Sequence, residues 1–337
     1  WSDGAYKERY MAIPGEAPTI EFHPTRSWGF PEGTVLVKSF AVETIEGDAA
    51  SREWIETRLF TRQQGEWVGY SYAWNEAQTD ATLVETQGAE RNYTVHTTAG
   101  VERRNWRFPS RAECLVCHSR AANFVLGVTT AQLNKLHDYG EVKANQLSTL
   151  EAIGLLRHDP RADFATHYKS LLTATGKNAE EADAELKQVR ATRDQRAEAG
   201  SSRLLAKPPS AYDQLADPYN AEAPLESRAR SYLHVNCASC HVEAGGGNAQ
   251  IDLAYTRDRD AMRVLGLPPL HQNFGLPRPA IVAAGAPERS VLLHRTALRG
   301  PGQMPPLATS VVDQRAVAML REWIASLEAT PSNESSP

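Results

Sequence analysis

Two pentapeptides, Cys114-Leu-Val-Cys-His118 and Cys237-Ala-Ser-Cys-His241, contain all four cysteines of the chain and place a histidine directly after each pair. The two sulfurs of each motif are three residues apart, so one turn of helix presents both on one side while the next residue turns an imidazole the same way. This spacing provides two covalent anchors for a porphyrin and one axial nitrogen for its iron, the attachment pattern of c-type haem. With 10 histidines among 337 residues, the chance that histidine follows both pairs is on the order of one in a thousand. Two covalently bound haems c are therefore predicted. Cys114 and Cys117 would anchor haem 1, Cys237 and Cys240 would anchor haem 2, and His118 and His241 would ligate the two irons.

Other uses of paired cysteines compete with this reading. A zinc site built from two knuckles needs them within a few tens of residues, whereas about 120 residues separate these pairs. A thioredoxin-like redox pair needs a single motif on a βαβ unit and leaves both histidines unexplained. Structural disulfides are the remaining alternative.

The formal charge of −5 argues against a nucleic-acid partner. No run of 18 apolar residues is present, so no transmembrane segment is expected. The chain opens on Trp1-Ser2-Asp3 without a basic and then apolar leader. Attachment at such motifs takes place outside the bacterial cytoplasm, so a periplasmic or secreted protein with its signal peptide removed is expected.

Residues 1–29 are rich in proline, glycine and aromatics and read as an arm that packs over something. Strand patterns follow at 34–40, 55–62, 67–74, 81–85, 91–97 and 101–108, with Gln63-Gln64-Gly65 as a hairpin turn. They predict a five- or six-stranded antiparallel sheet ahead of the first motif, with Val68, Tyr70, Tyr72 and Trp74 along one face. Helical patterns occur at 129–136, 142–154 and 179–199. Residues 30–200 would thus form a β-sheet domain with a helical extension holding haem 1. Residues 201–223, with Pro208, Pro209 and Pro218, read as a linker. In the domain expected at 224–330, a helix begins after Pro224 and delivers Cys237 at its end. Ser310-Val-Val-Asp313 looks like a capping box for a last helix whose stripe is Ala316, Met319, Leu320, Trp323 and Leu327. Residues 331–337 are a polar tail. The fold class expected is α+β.

Met304 lies in Gly300-Pro-Gly-Gln-Met-Pro-Pro-Leu307, a stiff loop suited to offering a thioether as the sixth ligand of haem 2. Met262 and Met319 sit in helical patterns and read as packing, and His234, His271 and His294 as surface or hydrogen-bonded histidines. For haem 1 the sixth position stays open among His23, His96, His137, His158, His167, Lys38 and Met11, or vacant beside the aromatic face of the sheet.

The order of helix, motif, irregular middle, methionine loop and amphipathic last helix resembles class I cytochrome c from Pro224 to about Thr330. More widely, Phe30-Pro-Glu-Gly-Thr-Val-Leu-Val-Lys-Ser-Phe40, Ile55-Glu-Thr-Arg-Leu59, Trp106-Arg-Phe-Pro-Ser-Arg-Ala-Glu-Cys-Leu-Val-Cys-His118 and Val125-Leu-Gly-Val-Thr-Thr-Ala-Gln-Leu-Asn134 are similar to a family of bacterial di-haem c-type cytochromes. They also resemble the haem-bearing segments fused to glucose/sorbosone dehydrogenase-like β-propellers. The resemblance implies a periplasmic module that passes single electrons between a donor, such as a sugar or alcohol dehydrogenase, and an acceptor such as another cytochrome. The alternative is a haem enzyme, peroxidase-like or gas-binding, whose open haem 1 is fed by haem 2.

Overall fold

Five antiparallel strands form the largest sheet: β1 (Tyr6–Ala12), β3 (Val35–Glu43), β4 (Arg52–Gln63), β5 (Glu66–Trp74) and β6 (Ala81–Leu83), adjacent in that order. The computed structural model to which they belong describes residues 1–15, 19–158, 180, 181, 184, 205, 207–243 and 245–328. β3, β4 and β5 are the β-branched and aromatic runs anticipated from the sequence, and a tight turn at Gln64-Gly65, both with positive φ, joins the last two. Two more predicted strands, β7 (Ala89–Thr97) and β8 (Gly100–Phe108), form a separate hairpin. Its Trp106 ring meets Phe40 edge-on at 5.5 Å, and Ala5, Val42, Ile55 and Phe108 complete that core.

β1 was not anticipated. Its sequence YKERYMA has no apolar side, and it is held at the edge of the sheet by backbone pairing to β3, with Arg9 opposite Lys38 and Met11 opposite Leu36. The buried parity of β5 also differs from expectation. Trp67, Gly69 and Ser71 are buried, whereas Val68, Tyr70, Tyr72 and Trp74 are half-buried on the other side.

Four described α-helices share the unit with this sheet. α1 (Arg111–Cys117) carries the first motif, and α4 (Leu225–Cys237), α5 (Val291–Ala297) and α6 (Gln314–Ser326) lie beyond residue 215. α4 and α6 pack through Ala229, Leu233, Leu320, Trp323 and Ile324, all buried, with Met262 and Met319 in the same core. The predicted stripe of α6 is therefore the buried face. Its cap is Asp313, which accepts from the Ala316 N–H at 3.0 Å, and not the Ser310 box the sequence suggested. Ser310 bonds elsewhere: its N–H and hydroxyl both donate to Asp3, whose carboxylate also accepts from the Thr309 hydroxyl and Val311 N–H.

The chain divides into two compact units, and these interleave in sequence where the expected domains ran in linear order. One comprises Trp1–Ala12, Glu32–Phe124 and Leu215–Pro337, and the other Ile13–Pro31 and Val125–Gln214. In the second, β2 (Ile20–Phe22) pairs in parallel with β11 (Leu156–His158), and Phe22, Trp28, Leu147 and Leu156 are fully buried. The helices expected there are shorter than their patterns. α2 (Thr130–Leu133) and α3 (Gln146–Ala152) flank an antiparallel pair, β9 (Leu136–Asp138) and β10 (Lys143–Asn145), because Thr129 and Asn145 cap the helices and Gly140 turns between the strands. Asn134 Nδ2 reaches the carbonyls of Pro209, Tyr212 and Asp213 at 2.8–3.2 Å, so that part of the expected linker is tied down. The helix expected at 179–199 falls almost wholly outside the described residues.

Candidate functional site

The first motif is presented by a short, firmly capped helix. Ser110 accepts from the Glu113 N–H at 3.1 Å and Glu113 accepts from the Ser110 N–H at 2.7 Å, a reciprocal box that starts α1. Arg107 holds the same carboxylate at 3.0 Å. One turn on, Cys114 and Cys117 share a side of the helix, and His118 closes it by donating its N–H to the Cys114 carbonyl at 3.0 Å.

α1 lies on the buried face of β5. A Cβ on Gly69 would fall 3.0 Å from Cys114 Sγ, so glycine is what lets the sulfur approach the strand. The His118 ring rests on Phe60 of β4 with centroids 4.3 Å apart, and Phe60 stacks on Trp67 at 4.8 Å. The sequence placed the first motif against Tyr70, Tyr72 and Trp74; those residues line the opposite face.

The imidazole of His118 is oriented from behind. Its Nδ1 is 2.6 Å from the Phe124 carbonyl, which accepts the ring proton and leaves Nε2 with its lone pair. Asn123 and Phe124 both have positive φ, 48° and 61°, a conformation that L-residues adopt at a cost of about 1–3 kcal/mol each. That backbone turns the Phe124 carbonyl onto the ring. Burial, opposed by the bond to Phe124, brings His118 down to about 4, so it is neutral at physiological pH.

The second motif straddles a helix end. Cys237 is the last residue of α4, and the next turn closes with the N–H groups of Cys240 and His241 donating to its carbonyl at 3.1 and 2.9 Å. The chain then wraps back: Gly247 N–H donates to the Cys240 carbonyl at 3.0 Å and Leu253 N–H to the His241 carbonyl at 2.8 Å. A Cβ on Gly247 would fall 2.6 Å from His241 Nδ1, and one on Gly245 would meet the Cys240 carbonyl. His241 is lowered by burial, with the Arg295 charge adding to it. Its Nδ1 is buried and faces the backbone of Ala249 without a well-formed hydrogen bond.

These two motifs meet. Cys240 Sγ points its thiol at the Val116 carbonyl oxygen 3.8 Å away, one residue from Cys117. Interaction between the two sulfurs raises Cys117 and lowers Cys240 to about 6. Burial raises Cys114 and pushes Cys237 up to about 12. All four cysteines are free thiols. Among the described residues no three histidine, cysteine or acidic side chains group as a metal ion requires.

Met304 is half-buried in the loop after α5, its N–H donating to the Arg295 carbonyl at 3.0 Å. Arg295 in turn donates to Gly302, which tightens the loop, and its charge bears on His241. Of the other histidines, His23 Nδ1 accepts from the N–H groups of Thr25 and Arg26, and the Arg26 guanidinium lies 2.8 Å from Nε2. His137 meets Tyr139 edge-on, the His294 ring lies tilted against Phe274, and His234 accepts from Tyr255 N–H. His96 and His271 are exposed. The side chains of His158 and His167 lie outside the description.

The chain matches no protein-family model, no curated protein and no solved structure. The donor set itself fits a haem c at each motif: two free thiols one helical turn apart, a neutral imidazole directly after them, and a glycine where a side chain would crowd a sulfur or the ring. No described helix is long and apolar enough to cross a membrane.

Proposed function

We propose that this chain is a di-haem c-type cytochrome of the periplasm that carries single electrons between a donor protein and an acceptor. The observation that carries this reading is the contact between the two motifs: groups bonded to Cys117 and to Cys240 would meet at one place inside one compact unit. When bound, a haem c at each motif supplies a one-electron iron couple.

The chain's own part is attachment, orientation and tuning. Cys114 with Cys117 and Cys237 with Cys240 form the thioether bonds. His118 offers Nε2 to one iron, since Phe124 holds the proton on the other nitrogen, and this hydrogen bond raises the ring's strength as a donor. His241 would hold the second iron, with the Met304 thioether on its stiff loop as a further ligand. Histidine and methionine together favour the reduced state and suit a carrier of positive potential. The packing of α4 on α6, with the methionine loop between α5 and α6, supports the class I cytochrome c reading of residues 224–330.

Purified protein treated with alkaline pyridine and dithionite should show the spectrum of haem with two thioether bonds, at two haems per chain. Loss of one haem in Cys114→Ala/Cys117→Ala and of the other in Cys237→Ala/Cys240→Ala completes the test. A chain exported in a host competent for haem attachment that carries no covalent haem would end this reading. Carbon monoxide added to the reduced protein separates carrier from enzyme: an unchanged Soret band means two closed irons, a shifted band an open one.

A further inference from the structure

One row across the large sheet is cationic. Arg9 on β1 lies opposite Lys38 on β3, Lys38 opposite Arg58 on β4, and Arg58 opposite Ser71 on β5. Strand alternation puts these side chains on the face that α1 covers. The flanking rows identify that face: Leu36, Phe60 and Gly69 on one side, where His118 and Cys114 pack, and Phe40 and Glu56 on the other, where Trp106 packs.

Like charges directly opposite one another on neighbouring strands are destabilising, so such a row calls for a counter-charge. Glu56, the carboxylate beside it, is already saturated. It accepts from Arg58 Nε and Nη2 at 2.8 Å each, from the Ser71 hydroxyl at 2.7 Å and from the Trp106 indole at 2.9 Å. Arg9 and Lys38 form no ion pair with any described residue. Lys38 is half-buried over the Phe40 ring at 5.0 Å, and Arg9 is exposed.

Two carboxylates are the charge that these two cations lack. A haem c carries its thioether bonds at one edge and two propionate groups at the opposite edge. Cys114 packs on β5, and the step from β4 past β3 to β1 carries the cationic row roughly 10 Å farther across the sheet. Resting on the reading above, we propose that Arg9 and Lys38 bind the two propionate carboxylates of haem 1, while Arg58, neutralised by Glu56, ends the row beside the motif.

The test uses Arg9→Gln, Arg9→Lys and Lys38→Gln in the full haem-loaded chain. Arg9 is exposed on an edge strand, so its replacement leaves the core intact. Haem content should stay at two per chain, because the thioethers hold the group. Redox-difference infrared spectra should show a haem carboxylate band shifted in Arg9→Gln and in Lys38→Gln and restored in Arg9→Lys. The potential of one haem should move negative, since an unneutralised carboxylate favours the oxidised iron, and the other should stay. Unshifted carboxylate bands in both glutamine variants, with two haems present, would overturn this inference alone. Electron paramagnetic resonance g-values changed by Lys38→Gln but not by Arg9→Gln would make Lys38 an iron ligand and overturn its role here. A wild-type chain without haem would overturn this inference and the reading beneath it.

Discussion

Cys114 packs against Gly69 so closely that a Cβ on the glycine would lie 3.0 Å from its sulfur and 3.2 Å from its own Cβ. Gly69 sits in the paired middle of β5, opposite Phe60, and that backbone has nowhere to move. Gly69→Val should cost about 1–3 kcal/mol, the penalty of overpacking a core, read from urea unfolding. The same variant should lower covalent haem at the first motif and leave the second loaded, as mass spectrometry of the two tryptic peptides would show.

Met304 offers a thioether and no other described role but its backbone bond to Arg295. Met304→Ala should therefore leave the fold in place and open one iron, giving a high-spin signal and a carbon monoxide-sensitive Soret band absent from the wild type. Met304→His should keep the iron low-spin and lower its potential. Wild-type spectra from both variants would assign the sixth ligand elsewhere.

Buried His23 is held at about 4, first because burial strips its hydration and second because Arg26 repels a proton. Its folded value lies below the 6.5 of a free histidine, so on acidification the unfolded chain takes up the proton first. Its contribution is complete above pH 6.5 and is lost as the pH falls toward 4, by on the order of 2–3 kcal/mol. In His23→Asn the amide oxygen can still accept from the Thr25 and Arg26 N–H groups. Urea midpoints of this variant should fall less between pH 7 and pH 4.5 than those of the wild type.

Asp313 caps α6 and accepts from the Tyr219 hydroxyl as well. Asp313→Ala should cost about 1–2 kcal/mol, the usual range for a lost N-cap, and Asp313→Asn distinctly less. Thermal unfolding of the three proteins gives the order.

The strands from Val35 to Phe108, the helix ending at Cys237 and the stripe of α6 were legible because each carries a periodic apolar pattern bounded by turn or cap residues. β1 was illegible because an edge strand needs only its backbone to pair, and Lys7, Arg9 and Met11 alternate with Tyr6, Glu8 and Tyr10 without an apolar side. The orientation of β5 misled for a related reason. Tyr70, Tyr72 and Trp74 are the larger residues, but Gly69 and Ser71 are small because α1 and Glu56 need the space. Asp313 was passed over as a cap because Ser310 also fits the pattern, and only the tertiary contact with Asp3 shows where that serine is used. The motifs were plain in the sequence; their contact across about 120 residues, and the cationic row beside them, depend on strand register that no local pattern carries.

Asp3 and Thr309 are 306 positions apart and hydrogen-bonded. A body assembled from three separated stretches of chain closes late, because its distant partners must all be present before the contacts repay the lost entropy. The β4–β5 hairpin can pair early, but α6 and the Asp3 anchor wait for nearly the whole polypeptide. Until then the thiols of both motifs stay open to solvent. Once the chain closes, Cys237 is partly buried against the core that α4 and α6 share. The order of folding events therefore sets how open the cysteines are, fully before closure and in part after it.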